Sequence, residues 1–338
     1  MKKVLKVGGI VVGVILFLAA SFIGVWFLWP WHAEFYKNAQ AEFAIPGLKT
    51  DFVPQAFTKV DNQNLYIIGG YMNDGSASRY YIVDGESKEV KNYFTLTIEG
   101  DDYVGHACGI ASHGNNLWTC SNDGEGGKAY RFLLSDALNS EDGESVEVVD
   151  SFLTNNGADN IMVGGNYLWI GEFYREGNYE TDASHHIETR TGETNTAVAF
   201  AYELNESGVC GVADFVPDKA ISTIGLVQGV AITDDGNIIL STSYSLPAST
   251  IYCYKNVLTE EKHSTIEVGE HNVDLWFLDG ESLLNEVSAP AMTEEIVAYN
   301  GKLYILSESA CKKYRLFTRD SVKEVYSMSL DYIKGDAE

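Results

Sequence analysis

The sequence QGVAITDDGNIILSTSY, residues 228–244, predicts two short β-strands joined by a tight polar turn. Apolar and β-branched residues fill both strands, and Gly236 in the turn can adopt a positive φ at little cost. Four other stretches follow the same plan, each with a Leu-Tyr or Leu-Trp pair in the second strand: residues 55–71, 109–122, 159–174 and 294–309. A unit that recurs every 50 to 70 residues or so, as in this chain, indicates a repeat architecture.

Each unit continues with two further segments in which β-branched and aromatic residues alternate with polar ones. The predicted third strands are residues 77–84, 128–134, 196–204, 249–255 and 312–319. The predicted fourth strands are residues 90–97, 146–153, 209–216, 273–279 and 322–330. Five units of four strands are typical of a β-propeller. The sequence therefore predicts an all-β fold, a five-bladed β-propeller of four-stranded antiparallel blades over residues 51–338.

Residues 228–254 form the most regular copy of the unit, with an Asp-Asp-Gly-Asn turn at 234–237. This stretch resembles a blade of the broad group of propellers that contains gluconolactonase-like and plant-type glutaminyl-cyclase-like proteins. The resemblance covers one blade well and the other blades loosely. It implies the propeller fold, and it carries no catalytic residue over to this chain.

The first 31 residues differ in composition from the rest. Three lysines precede an uncharged stretch, residues 7–28, and Trp26, Trp29 and Trp31 lie at its far end. As a helix this stretch is about 33 Å long, enough to cross a bilayer core of roughly 30 Å. The lysines orient the N-terminus to the cytoplasm. We therefore expect a single-pass cell-membrane protein with a signal-anchor transmembrane helix in residues 1–31, a tether over 32–50 and an extracytoplasmic propeller. The alternative is a cleaved signal peptide.

The chain is strongly acidic, with 48 Asp and Glu against 23 Lys and Arg and a formal net charge of −25. Nucleic acids and anionic surfaces need a basic face, so the composition argues against both as partners. A solvated acidic surface and an affinity for divalent cations both remain open. Five cysteines leave at least one thiol unpaired. Cys108 and Cys120 lie close enough on one predicted hairpin for a short disulfide.

Polar residues occupy equivalent positions near one end of the five first strands. These positions are Gln55, Cys108, Asp159, Gln228 and Glu294, with His106 just before the second, Asn160 after the third and Glu295 after the fifth. First strands surround the central channel of a propeller. We therefore expect these side chains to gather at one mouth of the channel. They would form a ligand or cation site there, or the polar wall of a hydrated channel.

The second strands end on the same face, and Glu172, Tyr174 and Tyr244 are among their last residues. Carboxylates, phenols and amides around a concavity suit a polar ligand rich in hydroxyl groups, such as a glycan or a peptide. They also suit Ca²⁺ in the central channel, because Ca²⁺ takes carboxylate and amide oxygens. The sequence indicates no other cofactor.

A long insertion, residues 174–195, separates the second and third strands of the third unit and contains His185, His186 and Glu188. Insertions on one face of a repeat fold often mark the binding face. Adjacent histidines lack the fixed spacing of a metal motif. We expect a lid or an adaptable contact loop, with a flexible surface insertion as the alternative.

The sequence contains no Gly-x-Ser-x-Gly elbow, His-Glu-x-x-His, phosphate loop or dinucleotide motif. This favours a binding module for a glycan, a peptide or an envelope protein. The alternative is an ectoenzyme, either a hydrolase or lyase or a cyclase-like transferase. Such an enzyme would need general acid and base groups drawn from several blades. The candidates are His106, Glu172, Tyr174, Tyr244 and Glu294.

Overall fold

A computed structural model describes residues 12–18, 20, 21, 24, 31–60, 62–122 and 126–336. Three short helices flank the strands: α1 (Ala33–Asn38), α2 (Leu134–Asn139) and α3 (Leu330–Lys334). The transmembrane helix predicted within residues 1–31 falls in large part outside the described residues. Among those that are described, no helix is both long and apolar enough to cross a membrane.

The strands form five blades, and each blade is ordered from the channel outward. The first blade contains β2 (Phe52–Lys59), β3 (Leu65–Met72), β4 (Arg79–Asp84) and β5 (Val90–Ile98), with β6 (Asp101–Asp102) paired to β5. The second contains β7 (Gly109–His113), β8 (Asn116–Asn122), β9 (Gly127–Leu133) and β11 (Asp150–Leu153). The third contains β12 (Asn160–Gly164), β13 (Tyr167–Gly171), β16 (Ala197–Glu203) and β17 (Lys219–Thr223). The fourth contains β18 (Val227–Ile232), β19 (Ile238–Thr242), β20 (Ser249–Tyr254) and β23 (Leu283–Ala289).

The fifth blade is completed by the N-terminal end of the described propeller. It contains β24 (Thr293–Tyr299), β25 (Lys302–Ser307), β26 (Glu324–Ser329) and, outermost, β1 (Gln40–Ala44). β1 runs antiparallel to β26, with Gln40 opposite Ser327. The predicted five-bladed propeller is confirmed. The tether predicted over residues 32–50 needs correction, because this segment forms α1 and the strand that closes the ring.

Two blades carry extra strands on their outer edges. β10 (Ser145–Glu147) pairs parallel to β5 of blade one, and β22 (His271–Phe277) pairs parallel to β17 of blade three, with β21 (Ser264–Val268) beyond it. In both cases the chain leaves its own blade between the third and fourth strands and pairs with the preceding blade. The small sheet of β14 (Ile187–Glu188) and β15 (Thr194–Asn195) lies within the long insertion.

These excursions overturn several predicted outer strands. Residues 146–153 divide between β10 and β11, and residues 273–279 contribute to blade three rather than blade four. Residues 209–216 contain a short 3₁₀ helix, Val209–Gly211, so that β17 is the fourth strand of blade three. Residues 312–319 form turns, so that β26 is the third strand of blade five. Alternation marks a strand with one buried face, but it does not specify which neighbour the strand pairs with.

The core lies between neighbouring blades. The five second-strand residues that recur at equivalent positions are all at most 7% exposed, as predicted: Leu65, Leu117, Leu168, Ile239 and Leu303. Leu168, for example, packs in one cluster with Trp118 and Phe200. This packing fixes each blade against the next and so fixes where the inner strands present their side chains.

Candidate functional site

One end of the channel opens into a cavity of about 540 Å³, which we call the mouth cavity. The five predicted inner-strand positions all line it, together with His106 and Tyr244: Gln55, Cys108, Asp159, Gln228 and Glu294. Its remaining lining residues are Phe173, Tyr179, Ser243, Ser245, Leu246, Met292, Glu308, Tyr314 and Phe317. The structure therefore brings residues from all five blades together at one mouth.

Three inner strands have a β-bulge at this mouth. The pairing register shifts at Gln55 in β2, at Gln228 in β18 and at Glu294-Glu295 in β24. A bulge leaves an extra residue outside the ladder and re-aims its side chain. The same irregularity in three blades explains how polar side chains of otherwise apolar strands reach the cavity.

Backbone strain is concentrated at the same rim. Ala107, Ser245 and Met292 adopt left-handed conformations with φ of 53°, 61° and 62°. Each such residue costs about 1–2 kcal/mol relative to an ordinary conformation when it is not glycine. Ser245 and Met292 line the mouth cavity, and Ala107 lies between two residues that do. Strain of this kind is typical of ligand sites.

A chain of hydrogen bonds crosses the mouth cavity from blade two to blade five. Gln55 donates through Nε2 to the Pro54 carbonyl at 3.0 Å and to Glu308 Oε2 at 2.9 Å. These bonds orient the amide so that its oxygen faces His106 Nε2, 2.7 Å away. His106 must then carry its proton on Nε2, because an amide oxygen only accepts. The ring of Tyr71 packs edge-on against His106, with 4.6 Å between centroids.

Burial dominates the electrostatics of the three carboxyl groups in the mouth cavity. It raises the pKa of Glu294 well above its ordinary value, and the nearby charges of Glu308 and Glu295 raise it further. Burial also raises the pKa of Glu308 to about 8, although Lys313 and the Gln55 amide act in the opposite direction. The pKa of Asp159 rises to about 6 for the same main reason. Burial therefore favours the protonated form of all three carboxyl groups.

A second cavity of about 490 Å³ lies beside the first, along the long insertion, and shares Asp159, Phe173 and Tyr179 with it. Glu172 lines this second cavity and does not line the mouth cavity. Phe173, the next residue in the chain, lines both cavities. Of the five residues predicted as possible acid or base groups, the mouth cavity thus has His106, Tyr244 and Glu294.

Glu172 is used to hold the insertion in place. Its two carboxylate oxygens each lie 2.9 Å from His185 Nδ1, and they accept the backbone N–H groups of Gly157 and Val198 at 3.1 and 3.0 Å. His185 is only 6% exposed. The loop predicted as an adaptable lid is therefore pinned to blade three by a buried pair. Its Tyr179 forms part of the mouth-cavity wall.

Three predicted site residues lie elsewhere. Asn160 is 3% exposed and lines a small space between blades three and four, because alternate residues of a strand face opposite sides. Tyr174 packs edge-on against His186, with 4.9 Å between ring centroids. Glu295, adjacent to Glu294 in the bulge, lies deeper in the channel.

Glu295 ties three inner strands together inside the channel. Its Oε2 accepts the backbone N–H groups of Phe57 at 3.3 Å and Ile110 at 3.2 Å. The side chain is 1% exposed, and burial raises its pKa well above the ordinary value. Its role is to join blade five to blades one and two.

The predicted calcium site is not supported by the side-chain arrangement. Within the described part of the chain, no three His, Cys, Asp or Glu side chains are grouped so that they could hold a metal ion. None of the five cysteines forms a disulfide. The Cys108–Cys120 disulfide that the sequence leaves possible is therefore absent, and Gly109 rather than Cys108 lies opposite Cys120 in the hairpin.

Most of the aromatic wall was not predicted from the sequence. Tyr314 and Phe317 were assigned to a third strand, whereas they lie in turns beside the mouth. Phe173 directly precedes the long insertion, and Tyr179 lies within it. Ser243 was also not predicted, although its position directly before the predicted site residue Tyr244 could have indicated it.

No protein-family model matches this chain, and no curated protein matches it. Solved structures that match include β-propellers. The PQQ-bound aldose sugar dehydrogenase of Streptomyces coelicolor is 10% identical, with a TM-score of 0.46, and the match covers 86% of this chain and 96% of that one. The glutaminyl cyclase of Myxococcus xanthus is 8% identical, with a TM-score of 0.46 and coverages of 86% and 94%.

A third match is the hydrazine synthase of Kuenenia stuttgartiensis, which is 10% identical with a TM-score of 0.38. It covers 77% of this chain, which spans only 58% of the hydrazine synthase chain. Similarity at this level carries no argument about this chain. The chain is a five-bladed β-propeller, and its function must be argued from its own side chains.

Proposed function

We propose that this propeller is a binding module that holds a polar ligand in the mouth cavity. The observation that carries the proposal is a pair of unpartnered acceptors. Glu294 is 3% exposed and faces the cavity, and no described residue donates a hydrogen bond to its carboxyl group. The hydroxyl of Ser243, itself 3% exposed, has no hydrogen-bond partner among the described residues either.

Buried polar groups without partners are costly, at about 1–3 kcal/mol each. Nearly all polar groups buried in folded proteins are paired, so each exception calls for an explanation. Both residues line one open cavity, where a ligand that supplies hydrogen-bond donors would pair with the Glu294 carboxyl. The cavity volume is in the range of small-molecule sites, about 300–1,000 Å³. A small polar compound, or the end of a glycan or peptide, fits this description.

The alternative, an ectoenzyme, has weaker support. Glu172 and His185 are occupied by their mutual pair and by backbone donors. His106 donates its Nε2 proton to the Gln55 amide oxygen, which fixes the orientation of the ring. A general base must reach the proton that it removes. The contacts of these side chains are those of a rigid wall, which suits binding.

The binding proposal is tested by thermal unfolding of the purified full-length chain with a panel of neutral, anionic and cationic small molecules, oligosaccharides and short peptides. A ligand should raise the midpoint, because binding to the folded state alone stabilises it. Glu294→Gln and Tyr244→Ala should abolish the rise. Glu267→Gln, which removes an exposed carboxylate on β21, is the matched control. A rise that survives both cavity substitutions would contradict the proposal.

The location of the module is part of the same proposal. The uncharged stretch of residues 7–28 supports a membrane anchor, with the propeller outside the cytoplasm and a glycan, peptide or envelope protein as partner. The net charge of −25 argues against nucleic acid. Protease added to intact cells should remove the propeller while a cytosolic control survives. Protection of the propeller alongside digestion of a surface control would refute this topology.

A further inference from the structure

The side chains that line the mouth cavity favour one chemical class of ligand. Its lining residues include three carboxyl groups, Asp159, Glu294 and Glu308, and the described lining contains neither lysine nor arginine. A lysine outside the lining, Lys313, acts on Glu308 and donates to the Tyr71 hydroxyl at 2.6 Å. An anionic ligand would add to the repulsion within the cavity, and a cation would relieve it.

The acceptors in the cavity require N–H or O–H donors. The Glu294 carboxyl faces the cavity and accepts no hydrogen bond from the described chain. The Ser243 hydroxyl is buried without a partner among the described residues. Gln228 donates to the Ser243 carbonyl at the long distance of 3.4 Å, which leaves its amide loosely held. A quaternary ammonium carries charge but has no N–H group to offer. A primary or secondary ammonium offers both.

Aromatic rings form the other wall. Phe173, Tyr179 and Tyr244 lie against one another with ring centroids 5.4 to 6.5 Å apart. The Tyr244 ring already attracts a cation, since the Arg175 guanidinium carbon lies 4.0 Å from its centroid. Aromatic faces attract ammonium groups and also cover apolar surface. This wall therefore suits the body of a ligand whose charged end faces the acids.

We infer that the ligand is a primary or secondary amine, in its ammonium form, attached to an apolar or aromatic body. The ammonium donates to Glu294, and the body lies against Phe173, Tyr179 and Tyr244. This inference rests on the proposed binding function and adds the class of ligand to it. The 540 Å³ of the mouth cavity holds an amine of drug-like size with its body enclosed.

Proton release is a signature of this chemistry. Glu294 faces the carboxyl groups of Glu308 and Glu295. His106 and Asp159 lie on the same cavity wall. Without a ligand, burial favours the protonated forms of Glu294 and Glu308. An ammonium beside them favours the ionised carboxylate, so binding should displace a proton into solvent.

The experiment uses the purified full-length chain and a matched set of probes: benzylamine, benzyltrimethylammonium, N-benzylacetamide, benzyl alcohol and benzoate. Isothermal titration at pH 7, in two buffers of different ionisation enthalpy, measures affinity and protons released. Benzylamine should bind more tightly than every other probe, with net proton release. Glu294→Gln should weaken it about 10- to 100-fold, the value of a hydrogen bond to a charged group. Ser243→Ala should weaken it less, and Glu267→Gln should leave it unchanged.

The outcomes separate this inference from the binding proposal. Equal or tighter binding of benzyltrimethylammonium or N-benzylacetamide overturns the inference. A different ligand from the broader panel, dependent on Glu294 but carrying no amine, also overturns it and leaves the binding proposal standing. If no member of the panel binds, or if binding ignores Glu294→Gln, Ser243→Ala and Tyr244→Ala alike, both fail. Cooperative unfolding of each variant confirms that it is folded.

Discussion

Replacing Glu308 by glutamine should make the empty protein more stable, and the gain should grow with pH. Burial raises the pKa of this carboxyl from 4.5 to about 8. Between these two values the folded protein retains a proton that the unfolded chain releases. The stability of the wild type therefore falls as the pH rises through this window, by about 1.4 kcal/mol per pH unit. The glutamine variant has no such proton to lose.

The substitution preserves the local geometry. Gln55 Nε2 donates to Glu308 Oε2 at 2.9 Å, and the carbonyl oxygen of a glutamine can accept the same bond. The difference in free energy of unfolding between variant and wild type should therefore be small near pH 5. It should reach at most about 3–4 kcal/mol near pH 7.5.

Urea unfolding at several pH values between 5 and 7.5 measures this difference directly. Glu267→Gln controls for the loss of one formal negative charge from the acidic chain. A constant difference between Glu308→Gln and wild type across the pH range would refute the reasoning. It would mean that the carboxyl is ionised at no special cost in the folded protein, and that the mouth cavity is better solvated than its geometry indicates.

Three further substitutions test the packing and the hydrogen bonds that hold the blades around the site. Leu168→Ala should cost about 2–5 kcal/mol in urea unfolding, because a cavity opens between blades; a loss under 1 kcal/mol would contradict its buried position. Glu295→Ala should leave two backbone N–H groups unpaired at about 1–3 kcal/mol each, whereas Glu295→Gln should cost little; equal losses would argue against the channel tie. Phe43→Ala, on the closing strand, should cost about 3–5 kcal/mol, and an unchanged midpoint would show that β1 does not hold the ring closed.

The inner part of each blade was predictable from sequence because its pattern is self-contained. A first strand, a tight turn and a second strand are encoded within one short stretch, as in residues 228–244. Hairpin pairing is local, so aligning the five copies was enough to bring Gln55, Asp159 and Glu294 to one mouth. The turn and the alternation of apolar and polar residues are therefore enough to predict how the first and second strands of a blade pair.

The outer strands were not predictable in the same way. The pattern of residues 273–279 marks a strand correctly, but the partner is β17 of another blade, which only the folded ring brings near. β1 gave no repeat signal at all, because it is separated in sequence from the blade that it completes. The bulge at Glu294-Glu295 was equally invisible. An extra residue in a ladder depends on the pairing of two strands, so the opposite directions of these neighbouring glutamates could not be inferred.

The pairing of β1 with β26 also has a consequence for how the protein is made. Gln40 leaves the ribosome long before Ser327, which lies opposite it. Until Ser327 is made, the edge of β1 has no partner, and such edges are templates for pairing with other chains. Closure of the ring therefore has to wait for β26, and it is slow, because contacts between distant residues delay folding. During synthesis, β1 must therefore be kept from pairing with other chains until β26 is available to cover its edge.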